Sequence, residues 1–424
     1  MQGRAAIAML AGLGLAVQAH AALSDDMTAA IHGLAQFDAA GYFQSAGAHL
    51  LPAAYGPDLS DGSNFRRAYL GVQGKAFSVW SYNLNFDFGG SAGTEKDGHI
   101  QSAYVQYEGA APFAFRVGAF PPPAGLEDST AAQDTLFLER AAPSDVMRNT
   151  AAGDGRDGAS IIYAGDRLFA ALSFTGGKAG DGAVFDEQTA LVGRASGVAY
   201  RDENALVVLS GSITHVLRGA GAAAGPGGAH TLTLSAAPEL TVDSTGTKLV
   251  TTGTLNIDSA TEWGLESAAV WKNLYAQGGY FHYSIAGHAA PDLAFGGWYV
   301  QASWLLTCER RSYKTSSAAF AAPEVEKKSK LENGGIGAWE LAVRYSDLDL
   351  NGRAGVVGRP APAGGIRGGE QKIWTAGLNW YPDSFVRLAL DYQRVEIARL
   401  SAAAPFAGAG QKFGALSARA QFSF

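Results

Sequence analysis

The chain has 424 residues with a formal net charge of −7; only 17% are charged, 11% are aromatic and 55 are glycine. The acidic balance argues against a nucleic-acid partner. The length suits two or three soluble domains or one large barrel, yet after the N-terminus no apolar run reaches the roughly 18 residues a membrane helix needs.

In chain order, Arg4 and the apolar run Ala5–Val17 precede Ala19-His20-Ala21, the pattern of a secretory signal cleaved after Ala21. The expected organisation is therefore a signal peptide over 1–21 and a single barrel domain over 22–424. From "GLAQFDAAGYF" onward, segments of about 8–12 residues alternate apolar and polar between turn residues, as membrane β-barrel strands do. In "FRRAYLGVQGKAF", Arg67, Tyr69 and Lys75 are out of phase with Leu70 and Val72 and point to the lumen. Strict alternation would turn Arg66 outward, where arginine at mid-bilayer costs about 2–4 kcal/mol. Arg66 must then lie above the apolar band or at a β-bulge. Arg116, between Phe115 and Val117, also points inward.

The stretch Pro121–Arg156 starts with three prolines, which stiffen the exit from a strand. It carries Leu126, Leu136, Phe137 and Leu138 among charges, anchors that an exposed loop would not need. It is expected to fold inward and narrow the lumen. Residues 217–260 read as one long external connection; the stretch "TLTLSAAPELTV" within it could be two further strands, giving 18 instead of about 16. Parity places the long polar connection 307–335 on the periplasmic side, as an extension, with a break of parity at that point as the alternative. It contains Cys308, the single cysteine, which pairs with nothing and has no base motif near it.

Toward the C-terminus the alternation is clearest. Trp298 and Trp304, Trp339 and Tyr345, and Trp374 and Trp380 bracket three strands, as the aromatic girdles of an outer-membrane barrel would. Arg344, Arg387 and Arg419 fall on the lumen faces, together with the carboxylates Asp87, Glu340 and Asp391. The chain closes on "ALSARAQFSF", with Leu416, Ala418, Ala420 and Phe422 on one face and Arg419 on the other.

Catalytic motifs do not accompany this pattern. The eight histidines are scattered, and neither G-x-S-x-G nor H-E-x-x-H occurs. No histidine pair has metal-ligand spacing, and the Gly-rich segments lack a phosphate-loop lysine. The reading is an all-β transmembrane antiparallel barrel that transports, with no enzyme activity, cofactor or metal.

Several stretches together, among them "FRRAYLGVQGKAFSVWSYNLNFDF", "GLEDSTAAQDTLFLERAAP", "GAWELAVRYSDLDL" and "IWTAGLNWYPDSFVRLALDYQRV", resemble the phosphate-selective porin O/P family. The resemblance implies a 16-stranded outer-membrane barrel, usually a homotrimer, whose third loop folds inward. It implies that Arg66, Arg67 and Tyr69 line the narrow zone. Where phosphate-specific members carry a lysine after the "GLE" of that loop, this chain has Asp128, a carboxylate that would repel phosphate where the lysine would hold it, followed by Ser129 and Thr130; later matching positions are Ala131 and Ala132, and Pro121 replaces an aromatic. The resemblance also implies that terminal Phe424 is read by the barrel-assembly machinery. The expected function is a passive porin for small hydrophilic solutes, anions such as phosphate among them, set in outer-membrane lipid. A weakly selective or cation-preferring pore, or a non-conducting surface or adhesion barrel, stays open as an alternative.

Overall fold

Two-residue periodicity gives each strand an apolar and a polar face, and the fold turns the polar one inward. The computed structural model describes residues 21–24, 26–44, 57–89, 98–180, 186–221, 230–326, 329–401 and 410–424; most of the expected signal peptide lies outside them. The wall is made of β1 (Met27–Phe43), β2 (Gly62–Ala76), β3 (Trp80–Asp87), β4 (His99–Ala110), β5 (Phe113–Ala119), β6 (Arg156–Ala164), β7 (Leu168–Lys178) and β8 (Thr189–Arg201). It continues through β9 (Ala205–Arg218), β10 (Leu255–Trp271), β11 (Leu274–Gly287), β12 (Leu293–Leu305), β13 (Ala338–Gly352), β14 (Ile366–Tyr381), β15 (Val386–Ala398) and β16 (Gly410–Ser423). Each strand pairs antiparallel with the next, and β16 pairs with β1 from Leu34↔Ser423 to Phe43↔Gly414, closing a 16-stranded barrel.

Burial is inverted relative to a soluble protein. On β15, Leu388, Leu390 and Tyr392 are exposed, while Arg387, Asp391 and Gln393 are about as buried as any side chain in the molecule. The same holds for exposed Leu341 and Val343 against buried Glu340 and Arg344 on β13. An outer surface of Leu, Val, Phe and Trp around a charged interior fits a wall facing lipid. Trp298, Trp304 and Trp374 stand exposed on that outer face, where amphipathic rings sit well at a membrane boundary.

The stretch "TLTLSAAPELTV" adds no wall strands. His230–Leu232 pairs with Ala220–Gly221 and with the start of β10, and Ser235–Ala236 pairs with Val250–Thr251 within the same connection. The count is 16, not 18, and parity is kept. One end of the barrel carries short turns, such as those between β4 and β5 and between β10 and β11, and the other carries the long loops. Two connections depart from that rule. The link between β11 and β12, on the long-loop end, spans only 288–292. The link between β12 and β13, on the short-turn end, is long because it folds back into the barrel. Its hairpin, Arg311–Lys314 with Ala319–Pro323, places Phe320 against Tyr275 of β11, 5.1 Å between ring centres. The expected periplasmic extension is thus, in its hairpin, a lumen filler.

Residues 120–155 between β5 and β6 also lie inside. They carry helix α1 (Ala142–Ala151), with Pro143 in its first turn, where a missing N–H costs nothing. The helix has no side-chain cap of its own. Instead the Ala141 and Ala142 N–H groups donate to Glu127 and Glu239, carboxylates placed at the positive end of the helix. Val146, Met147 and Ala151 pack into a buried cluster with Phe281, Tyr283 and Tyr299 of the wall.

Candidate functional site

Most of the inward loop is held by side chains of the wall that reach its backbone. Arg387 donates to the Leu136 carbonyl at 2.9 Å, Arg419 to Leu138 at 2.7 Å and Arg344 to Glu139 at 2.8 Å. Asp391 accepts the Leu138 N–H at 3.0 Å, and Glu266 accepts the Leu126 and Glu127 N–H groups. Phe137 lies under the Arg344 guanidinium, 4.5 Å from its carbon. The segment "TLFLER" is therefore strapped to β13, β15 and β16. Arg344, Arg387 and Arg419 do point inward, but each is 1–2% exposed. They anchor the loop and are not free lumen charges.

The Arg66–Arg67 pair sits at a bulge. The β1–β2 register runs Gln36↔Arg67 and then Phe37↔Phe65, which leaves Arg66 as the extra residue. Both arginines consequently turn inward and meet Glu139 of the loop. Arg66 forms a two-pronged pair with it at 2.6 and 3.0 Å, and Arg67 lies at 3.8 Å. Arg419, itself paired through two bonds with Asp38, reaches Glu139 at 3.3 Å. Burial disfavours an ionised Glu139, but Arg66, Arg67 and Arg419 outweigh it and hold the carboxyl well below the usual range.

Among the described residues, two large cavities lie in the remaining interior. One, of about 750 Å³, runs along β1–β7 toward the short-turn end; the other, of about 350 Å³, opens toward the long loops. The residues lining both are Arg67, Arg140, Arg148 and Asp154. Arg148 bridges Asp128 and Asp154, each at 2.8 Å. Arg140 donates, among the described residues, only to the carbonyls of Asp128 and Thr130. Among the described residues it has no carboxylate partner within ion-pair distance, and its Nε is buried and unbonded. Arg148 and Arg67 overcome the burial of Asp154 and keep it ionised.

The other residues singled out from the sequence distribute around this junction. Tyr69 lines the larger cavity. Asp128, expected to repel phosphate where other members hold it with lysine, is paired with Arg148, which it shares with Asp154. Ser129 accepts from Arg194 at 2.7 Å, and Thr130 bonds back to Leu126 within the loop. Arg116 lines the larger cavity one level below, stacked 4.2 Å over Tyr104 and bonded to Gln106. Lys75 does not join them: its side chain is 61% exposed at the short-turn end, paired with Glu108. Sequence reasoning missed Glu139, Arg140, Arg148 and Asp154, all within the inward loop. It also missed Arg194, which donates to Ser129 and to the carbonyls of Ser317 and Ala318 at the tip of the second inward hairpin.

A closed barrel with a lipid-facing wall, a charged interior and two inward straps is a membrane channel protein of the porin class. The family model for phosphate-selective porins O and P matches residues 53–424, and the chain belongs to that family. It is 25% identical over 366 residues to Porin O of Pseudomonas aeruginosa, covering 81% of this chain and 79% of that protein. It is 26% identical over 347 residues to an uncharacterized protein of Caulobacter vibrioides, covering 79% of this chain and 63% of that one. Among solved structures, the anion-selective porin from Comamonas acidovorans shares the fold at 11% identity, with a TM-score of 0.55 over 94% of this chain and 100% of that one. The trimer form of OmpT from Vibrio cholerae does so at 11% identity and a TM-score of 0.51, again over 94% and 100%. The protein is a porin of the bacterial outer membrane.

Proposed function

We propose that this porin passes small hydrophilic solutes with a modest preference for anions, phosphate among them, and that the junction of the two cavities is its narrow zone. The observation that carries this reading is the charge of that junction: three guanidiniums, Arg67, Arg140 and Arg148, against one carboxylate, Asp154. A ring of arginine in a partly dehydrated constriction attracts anions. The preference is modest because Glu139 offsets Arg66 and Arg67, and Asp128 and Asp154 bracket Arg148. Arg66, Arg67, Tyr69, Arg116 and the loop residues Asp128, Ser129 and Thr130 would form its surroundings.

We further assign residues 1–21 as the export signal, 22–424 as one barrel domain, a homotrimer as the assembled state, and Phe424 as the feature read during insertion. Phe424 exchanges both backbone bonds with Gly33, at 3.0 and 3.1 Å, so it lies in the closing seam. The test is the reversal potential of the purified protein in planar bilayers under a KCl gradient. Anion preference is expected. A cation-preferring potential would reverse the charge argument, and a protein that never conducts would favour a surface role.

A further inference from the structure

Below the narrow zone the lumen wall changes character. The inward positions of β2 run from Arg67 through Tyr69 and Gly71 to Gln73, and the register lays cross-strand rows down the wall. One row is His32, Gly71, Asn85 and Ser102; the next holds Gln73, Asn83 and Tyr104. These rows contain amides, hydroxyls and an imidazole, but no arginine, lysine or carboxylate. Apart from Gly71, all of these residues line the larger cavity of about 750 Å³, a volume typical of small-molecule sites.

Gly71 shapes the shelf. A Cβ there would come within 2.7 Å of both Asn85 Oδ1 and His32 Nε2, so its absence lets the amide and the imidazole lean together over the strand. Asn83 approaches His32 at 3.3 Å and accepts from Ser102 at 2.6 Å, which fixes the amides in place. Asn85 is 5% exposed, and its Oδ1 has no hydrogen-bond partner among the described residues. A buried carbonyl of this kind needs a donor. A phosphate dianion brings one O–H at most, whereas a sugar brings several. Tyr104, its ring held under Arg116, ends the second row.

We propose that the solutes favoured by this porin are polyhydroxylated organic anions, such as a phosphorylated sugar or a sugar acid, not bare inorganic phosphate. This rests on the anion-preferring reading above. The anionic group would sit among Arg67, Arg140 and Arg148 while the hydroxyls contact the amide shelf. Four residues at about 3.3 Å each place Gly71 roughly 13 Å along the strand from Arg67. A bare phosphate touches one end of that interval; a hexose phosphate with the arginine side chain reaching toward it bridges the two.

The test measures block of the KCl current through the purified channel by glucose 6-phosphate, inorganic phosphate, gluconate and acetate. The half-blocking concentration of glucose 6-phosphate is expected about tenfold below that of phosphate, or that of gluconate about tenfold below that of acetate, about 1.4 kcal/mol in either case. The pair showing the larger ratio names the anionic group. In the Asn83→Ala, Asn85→Ala double variant, and separately in Gln73→Leu, whose side chain faces open lumen, the ratio is expected to fall below about threefold. Equal block within both pairs in a conducting, anion-preferring channel would overturn this inference and leave the porin reading standing. So would a ratio undiminished in both variants. A cation-preferring channel, or one that carries no current, would instead overturn the reading beneath it.

Discussion

Arg140→Gln isolates the charge of the narrow zone, because Arg140 is the guanidinium there without a carboxylate partner among the described residues. Removing it strands no buried carboxylate, and glutamine can still donate to the Asp128 or Thr130 carbonyl. One unit charge about 6 Å from a passing ion is worth roughly 0.7 kcal/mol in an aqueous lumen, attracting an anion and repelling a cation. The difference of about 1.4 kcal/mol is a tenfold change in the anion-to-cation permeability ratio in dilute salt. At 0.1 M, with a screening length of about 10 Å, about half of the energy survives and the change is about fourfold. Reversal potentials under a KCl gradient read this directly, and repetition at several ionic strengths tests the screening. A ratio that does not move in dilute salt would show that Arg140 is not beside the ion path, and the shared lining of the two cavities would not be the narrow zone.

Asp128→Lys should shift selectivity further toward anions, because it adds a cation and frees Arg148 from one of its two carboxylates; the same reversal measurement checks it. Arg419→Ala leaves Asp38 buried without its partner, a loss of about 3–5 kcal/mol, and should lower the denaturant midpoint of the detergent-solubilised barrel and raise its open-channel noise. Replacing residues 311–323 by a short flexible link should raise single-channel conductance, since Phe320 and its neighbours fill lumen volume; unchanged conductance would mean that the hairpin lies off the ion path. Burial pushes the Glu127 carboxyl up to about 7, against the pull of Arg344. A carboxyl raised in the folded state stabilises below its ordinary range near 4.5 and loses that contribution as pH rises through about 7. Loop-derived current noise should therefore grow between about pH 6 and 8, and Glu127→Gln should flatten that dependence.

What could be read from the sequence was local. Alternation is a property of neighbouring residues, so exposed Leu388 and Leu390 beside buried Arg387 and Asp391 were legible without a fold. The anomaly at Arg66 was legible too, because a lipid-facing arginine is costly enough to demand a bulge, and the register supplies one. The partners were not legible. Arg344, Arg387 and Arg419 read as lumen charges because their phase gives direction, but phase does not reveal that a loop covers them. Their acceptors are backbone carbonyls, which leave no mark in a sequence pattern. The inward hairpin at Arg311–Lys314 and Ala319–Pro323 was hidden for the same reason: it is held by Arg311 on Glu340 and by Arg194 on main-chain oxygens. Asp128 read as an obstacle to anions because Arg148, twenty residues later, becomes its neighbour only when α1 folds over it.

The strapping of the inward loop also bears on the order of assembly. The carbonyls of Leu136, Leu138 and Glu139 are gripped by arginines 251, 281 and 205 positions later in the chain. An unfinished sheet lacking β13–β16 has no such grip on residues 136–139, and its loop keeps only the holds of earlier strands, such as Arg66 on Glu139 and Glu266 on the Leu126 and Glu127 N–H groups. The pore's width is therefore decided last, when the final strands arrive and the seam shuts. A barrel intermediate would carry a half-fastened loop, and the bore of the finished channel doubles as a record that closure is complete.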